Sequence, residues 1–290
     1  MLGSMYSPWA ISANGELLVD RYYGIWHLPQ NRLVRTLHRF ALWGTHRNPE
    51  DRYAAVSPDG TRLALTGTVE VDYEDTAAFM LLDPWAGSII RRLEFADAVS
   101  GPSAFSPDGQ HVAFPVSDDY PSNHRLLIVR ASDGQVEQEI TAPFSIRALC
   151  YLPDGRLLAA GMLEGYPWIW EVFSNIRRRI EHRWEDPYSP LSLRFAPNGQ
   201  YLLVYRVIIP STELALYDVF MGQLIRFETL PYEARAFQFS YDSRFLLMAM
   251  VRYENNRWRS FLQVRNLPTW QLVRQLDNAG EGGILSHPSR

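Results

Sequence analysis

Ser57-Pro58-Asp59-Gly60, which returns as Ser106-Pro107-Asp108-Gly109, decides the fold of this chain. Variants of the same turn stand at Ala13-Asn14-Gly15, Leu152-Pro153-Asp154-Gly155, Ala196-Pro197-Asn198-Gly199 and, degraded, Ser240-Tyr241-Asp242-Ser243. Proline presets φ for the second position, Asp or Asn suits the third, and glycine accepts the left-handed conformation that closes a bulged hairpin. The last turn residues fall at 15, 60, 109, 155, 199 and 243, so one supersecondary unit of 44 to 49 residues repeats along the whole sequence.

Working outward, β-rich segments flank each turn, as in Tyr53-Ala54-Ala55-Val56 before the second and Arg62-Leu63-Ala64-Leu65 after it. The segments that follow are almost continuously apolar, for instance Leu157-Leu158-Ala159-Ala160 and Phe245-Leu246-Leu247-Met248-Ala249-Met250. A strand covered on one face alternates, and one held between two sheets does not. A third strand ends each time in a pair such as Leu82-Asp83, Trp170-Glu171 or Tyr217-Asp218. A fourth follows a short turn, as in Gly222-Gln223-Leu224-Ile225-Arg226. Four antiparallel strands per repeat, six times over, predict an all-β fold: a six-bladed β-propeller in one domain spanning 1–290. A seventh blade, the alternative, needs about 30 more residues at this spacing. Trp9-Ala10-Ile11 reads as the innermost strand of the first blade. The tail 277–290 reads as a stub of another inner strand, an added edge strand or a disordered end.

With these turns and acidic pairs on the page, the chain resembles the WD40-like β-propeller family over essentially its whole length. TolB-like propellers, which also carry such turns, are the nearest alternative. The departures limit what the resemblance implies. No Gly-His dipeptide and no Trp-Asp pair occur, so the hydrogen-bonded bracing of that family is not carried over.

Composition bounds the environment. The hydrophobic share of 47% supports a large core, and no apolar run approaches the roughly 18 to 20 residues of a membrane span. Met1-Leu2-Gly3-Ser4-Met5 lacks the basic and apolar regions of a secretory signal, which leads to the expectation of a soluble, cytoplasmic protein. Cys150 stands alone, in the strand entering the fourth turn, and reads as an inert core thiol. All 28 basic residues are arginine. Genome composition, heat adaptation or selection for bidentate guanidinium contacts would each produce this, and lysine chemistry is excluded. The guess of a prokaryotic origin rests on this composition.

The net charge of −4 argues against nucleic acid. The one dense basic run, Arg177-Arg178-Arg179 with His182 and Arg183, reads as a solvated edge strand before it reads as an anion site. The histidines fall at unrelated repeat positions, and no HExxH, Walker or GxSxG motif appears, so no catalytic, cofactor or metal residue is assigned. The expectation is that the chain is not an enzyme.

The repeats differ most between their second and third strands. From the turn to the end of the third strand they run 12 to 23 residues, with the longest connections in repeats two, three and six. Length variation on one face of a repeat array marks a candidate binding face. Repeat two offers Asp72, Tyr73 and Asp75, and repeat three Asp118, Asp119 and Tyr120. Repeat six offers Arg252, Tyr253, Arg257, Trp258 and Arg259. The reading is an acidic side facing a basic, aromatic one that docks one or more proteins, with Trp258 as anchor. A divalent cation between Asp72, Asp75, Asp118 and Asp119 is a lesser alternative, since no calcium-loop spacing is present. The long stretch His38 to Asp51 reads as an aromatic tucked under a loop or as a further contact. The sequence therefore points to a non-catalytic interaction scaffold, a subunit or accessory of a larger assembly. A small-molecule-binding or hydrolytic propeller using the central channel is the alternative.

Overall fold

A computed structural model describes residues 8–20, 24–37, 52–71, 74–118, 123–184, 191–254 and 257–277. The stretch from His38 to Asp51 and the tail beyond Asp277, both singled out from the sequence, lie outside these residues.

The six sheets follow the repeats in chain order. Blade one holds β1 (Pro8–Ile11), β2 (Leu17–Asp20), β3 (Gly24–His27) and β4 (Arg32–Thr36). Blade two holds β5 (Arg52–Val56), β6 (Leu63–Val71), β7 (Glu74–Asp83) and β8 (Ser88–Ala96). In blade three the first strand is split into β9 (Ala98–Ser100) and β10 (Ala104–Phe105), followed by β11 (His111–Asp118), β12 (Asn123–Arg130) and β13 (Val136–Thr141). Blade four comprises β14 (Ile146–Tyr151), β15 (Leu157–Leu163), β16 (Tyr166–Glu171) and β17 (Ile176–Arg179). Blade five is β18 (Ser192–Phe195), β19 (Tyr201–Ile208), β20 (Ser211–Asp218) and β21 (Gln223–Leu230). Blade six is β22 (Glu233–Phe239), β23 (Phe245–Glu254), β24 (Arg257–Asn266) and β25 (Leu272–Asp277). Each sheet is an antiparallel meander of consecutive strands, and the fold is a six-bladed β-propeller. Contacts divide it into two units, Pro8–Met162 with Glu171–Ser174, and Leu163–Trp170 with the chain from Asn175 on.

The turns explain why the repeat keeps its sequence. In all six, the Asp or Asn side chain accepts a hydrogen bond from the backbone N two residues on, at 2.9 to 3.1 Å. Where serine opens the turn, its hydroxyl also accepts the N–H five residues on, from Leu17, Arg62, His111 and Phe245. These bonds hold the carboxyls of Asp108 and Asp242 below the usual carboxylate range, the Ser106 and Ser240 hydroxyls contributing most. The two most irregular turns have a second task. Asn14 Nδ2 donates to the Asp59 carbonyl at 3.1 Å, and Ser243, at φ 56°, accepts the Asn198 N–H on its hydroxyl at 3.1 Å. Each departure from the consensus links neighbouring blades, a bond that glycine at 243 could not make.

The second strands are buried where their apolar runs lie, β11 from Val112 to Ser117 and β19 from Tyr201 to Val204, as a strand covered on both faces requires. Between blades two and three the core gathers Phe79, Leu81, Val112, Phe114, Val116, Leu127 and Val129. Between blades five and six it gathers Leu203, Leu214, Leu216, Phe237, Met248, Met250 and Phe261. Two buried threonines tie blade to blade through the backbone. Thr66 Oγ1 donates to the Gly101 carbonyl at 2.7 Å, and Thr212 Oγ1 accepts the Ala234 N–H at 2.8 Å. Cys150 is buried in β14 and burial pushes its thiol up to about 12, so it carries no thiolate near neutral pH.

Candidate functional site

The polar segments read from the sequence as long loops are longer hairpins. In blade two the ladder continues through Glu70↔Asp75 to Val71↔Glu74, and in blade six through Tyr253↔Trp258 to Glu254↔Arg257, leaving two-residue connections. Blade one, by contrast, has four-residue second and third strands. The extra residues extend the blade as ladder.

Of the residues singled out from the sequence, Asp72, Tyr73, Asp119 and Tyr120 lie outside the described residues. Asp75, Arg257 and Trp258 are placed by register alone, opposite Glu70, Glu254 and Tyr253. Asp118 is engaged within its own hairpin. It pairs with Arg125 at 2.9 Å and accepts from Asn123 Nδ2 at 3.2 Å, while Arg125 also meets Glu139 at 3.3 Å and lies 5.6 Å over the Phe95 ring. Arg252 is likewise engaged, by Glu254 at 3.2 Å and over the Phe261 ring at 5.1 Å. Tyr253 is 59% exposed, and Arg259, across the ladder from Arg252, is also exposed.

An exposed apolar group sits at the end of the blade-five hairpin, which sequence reasoning passed over. The ladder runs Arg206↔Glu213, Val207↔Thr212 and Ile208↔Ser211, and the two-residue connection is Ile209-Pro210. Val207 and Ile208 are exposed, and Ile209 is 74% exposed. The signal was present as an apolar run ending in proline, but an apolar run reads as buried strand. The base of this hairpin is rigidly held. Arg206 Nε bonds Glu213 at 2.7 Å and lies 5.6 Å over the Trp184 ring, Trp184 Nε1 donates to the Tyr217 hydroxyl at 3.2 Å, and Ser211 Oγ donates to the Ile208 carbonyl. His182 packs beside the same cluster, 5.1 Å from Phe227 and 6.0 Å from Trp184.

Among the described residues two histidines have pKa values lowered by burial, His182 in this cluster and His124 in the blade-three hairpin, where the Asp118 charge opposes the shift. His124 Nδ1 is buried without a hydrogen-bond partner. In the unfolded chain both take a proton near pH 6.5, and in the folded chain only below that. The unfolded state therefore binds more protons as the pH falls through 6.5, and stability falls with it. Urea midpoints at pH 7.5 and 5.5 should show this loss, and a His124→Phe, His182→Phe double variant should show a smaller one. An equal loss in the variant would place the titration elsewhere.

The basic run of blade four lies on the exposed outer strand β17, as the sequence suggested, and each arginine has a local partner. Arg177 donates to Asn175, Arg178 to the Phe220 carbonyl and Arg179 to Glu181. Among the described residues no group of three or more His, Cys, Asp or Glu is placed to hold a metal ion, and no helix is long and apolar enough to cross a membrane.

A recurring polar position was missed because only acids and histidines were sought there. Arg52, Arg147 and Arg235 each stand eight residues before the last residue of their turn, all on the first strand of a blade.

No protein-family model matches the sequence, and no curated protein matches it. A comparison with solved structures finds 1007 similar chains. One is titled Kuenenia stuttgartiensis hydrazine synthase, with a TM-score of 0.54 and 14% sequence identity over 74% of this chain. The match spans 62% of that solved chain. The likeness shows the fold alone. It nevertheless overturns the expectation that this chain is not an enzyme, which rested on scattered histidines and absent catalytic motifs: a propeller of similar fold occurs in a chain titled hydrazine synthase. Missing motifs could not exclude catalysis, because propeller strands assemble groups from distant repeats that no contiguous motif records.

Proposed function

We propose that this chain is a protein–protein interaction platform, a subunit or accessory of a larger assembly, whose partner seats on the hairpin ends of blades five and six. The observation that carries this is the exposure of Val207, Ile208 and Ile209 at the end of one hairpin, with exposed Tyr253 at the end of the next. Aliphatic side chains at a hairpin end contribute nothing to the core, and grouped exposure of this kind marks interaction surfaces. Tyrosine and arginine at the rim are the residue types that dominate interface energetics. The Arg206–Glu213 pair beneath keeps the hairpin ordered before binding, which lowers the entropy cost of association. Within the propellers, the Ser-Pro-Asp-Gly turns support a place near the WD40-like group, and the lysine-free composition supports a prokaryotic assembly.

Affinity capture from the native source, read by mass spectrometry, tests the reading. An Ile208→Asp, Ile209→Asp double variant and Tyr253→Ala should each lose at least tenfold of the captured partner. Met221→Asp, an exposed change at the other end of blade five, should retain it. Equal capture by all four proteins would overturn the proposal.

A further inference from the structure

Blades four and five bring exposed apolar side chains and a run of arginines together at their outer edges. β17 and β21 are the last strands of their sheets, so each has one open edge. β17 reads Ile176-Arg177-Arg178-Arg179, and all four residues are exposed. Arg178 Nη1 donates to the Phe220 carbonyl at 3.1 Å, which sets β17 beside the turn between β20 and β21. Phe220 and Met221 stand at the tip of that turn, both exposed, Met221 by 69%. The tip is fixed from within, because Asp218 Oδ1 accepts the N–H groups of Phe220 and Met221 at 3.0 and 2.8 Å. Leu224 and Phe227 of β21 are also exposed, with Tyr217 and Ala215 as their ladder partners. They stand on the side of blade five that looks toward blade four: the Tyr217 hydroxyl accepts from Trp184, and Phe227 lies 5.1 Å from His182, both in the segment after β17. Single exposed apolar residues need no explanation, whereas a group of them beside a basic run marks a surface that binds.

We propose that these outer edges of blades four and five seat on an anionic lipid surface, with Phe220 and Met221 entering the headgroup layer and Arg177 and Arg178 meeting lipid phosphates. An interfacial site needs apolar side chains that pass below the phosphates and cations that stay level with them. The arginines keep their charge for this. Arg177 donates to Asn175 and Arg178 to a backbone carbonyl, both neutral acceptors, while Arg179 meets the carboxylate of Glu181. A guanidinium engages phosphate oxygens in pairs, and every basic residue of the chain is of this kind. The net charge of −4 opposes approach only weakly, since at physiological salt exposed charges beyond about 8 Å are screened and the arginine run decides locally. A protruding apolar tip favours lipid over protein, because the headgroup layer deforms around it and no matching cavity is required. The surface lies at the opposite end of blade five from Val207, Ile208 and Ile209, and so is separate from the docking site proposed above.

Cosedimentation of the full chain with vesicles of phosphatidylcholine, and of phosphatidylcholine mixed equally with phosphatidylglycerol, tests this at low and at near-physiological salt. Wild type should bind the mixed vesicles about tenfold or more over phosphatidylcholine alone, and less well at the higher salt. Phe220→Ser with Met221→Ser leaves the backbone bonds of Asp218 in place and should lose about tenfold. Arg177→Gln with Arg178→Gln should lose about tenfold as well and flatten the salt dependence. Arg177→Glu alone, an exposed change, keeps the test valid if a double variant fails to fold. Ile208→Asp with Ile209→Asp, at the far end of blade five, should bind vesicles within about twofold of wild type. No binding by wild type, equal binding to the two vesicle compositions, or an equal loss in Ile208→Asp with Ile209→Asp would overturn the proposal. If vesicles are ignored and a captured protein is lost in Phe220→Ser with Met221→Ser, the proposal falls and the surface belongs to a protein.

Discussion

Phe114→Ala is expected to cost about 3 to 5 kcal/mol of stability, the range for removing a buried phenyl ring from a core that relaxes only in part. Phe114 of β11 and Phe79 of β7 are both wholly buried and stack with their centroids 4.3 Å apart and their planes within 8°. One ring belongs to blade two and the other to blade three, so the substitution opens a cavity in the seam between two sheets. Phe95 lies 6.4 Å from Phe114 and closes the cluster on the outer side, and Arg125, the partner of Asp118, lies over Phe95. The seam therefore supports the ion pairs of the blade-three hairpin as well as the core. Denaturant titration gives the cost. The sharper measurement is the cycle with Phe79→Ala: if the stack carries energy beyond its buried area, the double variant should cost less than the sum, by about 0.5 to 1.5 kcal/mol. Additive costs would show that the rings fill space independently.

The seam was legible in outline because the second strands are continuously apolar, and such a strand must be covered on both faces. The turns were legible for a stronger reason. Asp59, Asp108, Asp154 and Asp242 each bond a backbone N–H two residues on, so the chemistry that makes the turn is written within five consecutive residues. The hairpin ends were not legible, because their structure depends on pairing rather than composition. Glu70 and Asp75 look like loop residues until Glu70↔Asp75 is seen as a rung of the ladder, and Val207-Ile208-Ile209 looks like core until β19 is seen to run past β18, whose last rung is Ser192↔Tyr205. Asp118 read as a docking charge because its partner, Arg125, becomes a neighbour only when β11 folds back on β12 at the register Val116↔Arg125. Arg52, Arg147 and Arg235 repeat at one position and could have been found by asking which charged residue type recurs, whatever its chemistry. Bulges at 147 and 235 could not, since a bulge is a mismatch between two strands.

The ion pair beneath the blade-five hairpin supplies the other large effect. Arg206 and Glu213 are 11% and 22% exposed, face each other across β19 and β20, and meet at 2.7 Å. Glu213→Ala removes the carboxylate and leaves a guanidinium seated over Trp184 in a largely dry site, with an expected cost of about 3 kcal/mol, the lower end for a broken buried pair because water reaches the Glu213 side. Arg206→Ala is expected to cost less, since an exposed-edge carboxylate can turn to solvent while the guanidinium is packed. Replacing both, Arg206→Met with Glu213→Leu, restores apolar contact over Trp184 and should return stability to within about 1 kcal/mol of wild type, because the attraction between the charges is offset by the cost of drying them. Partner capture separates packing from polarity in the proposed function. If the pair only holds the hairpin, Arg206→Met, Glu213→Leu captures the partner as wild type does, whereas Glu213→Ala loses capture in step with its stability. If the double variant is stable yet captures nothing, the charges themselves face the partner, and the docking surface extends down the hairpin from Ile209 to Arg206.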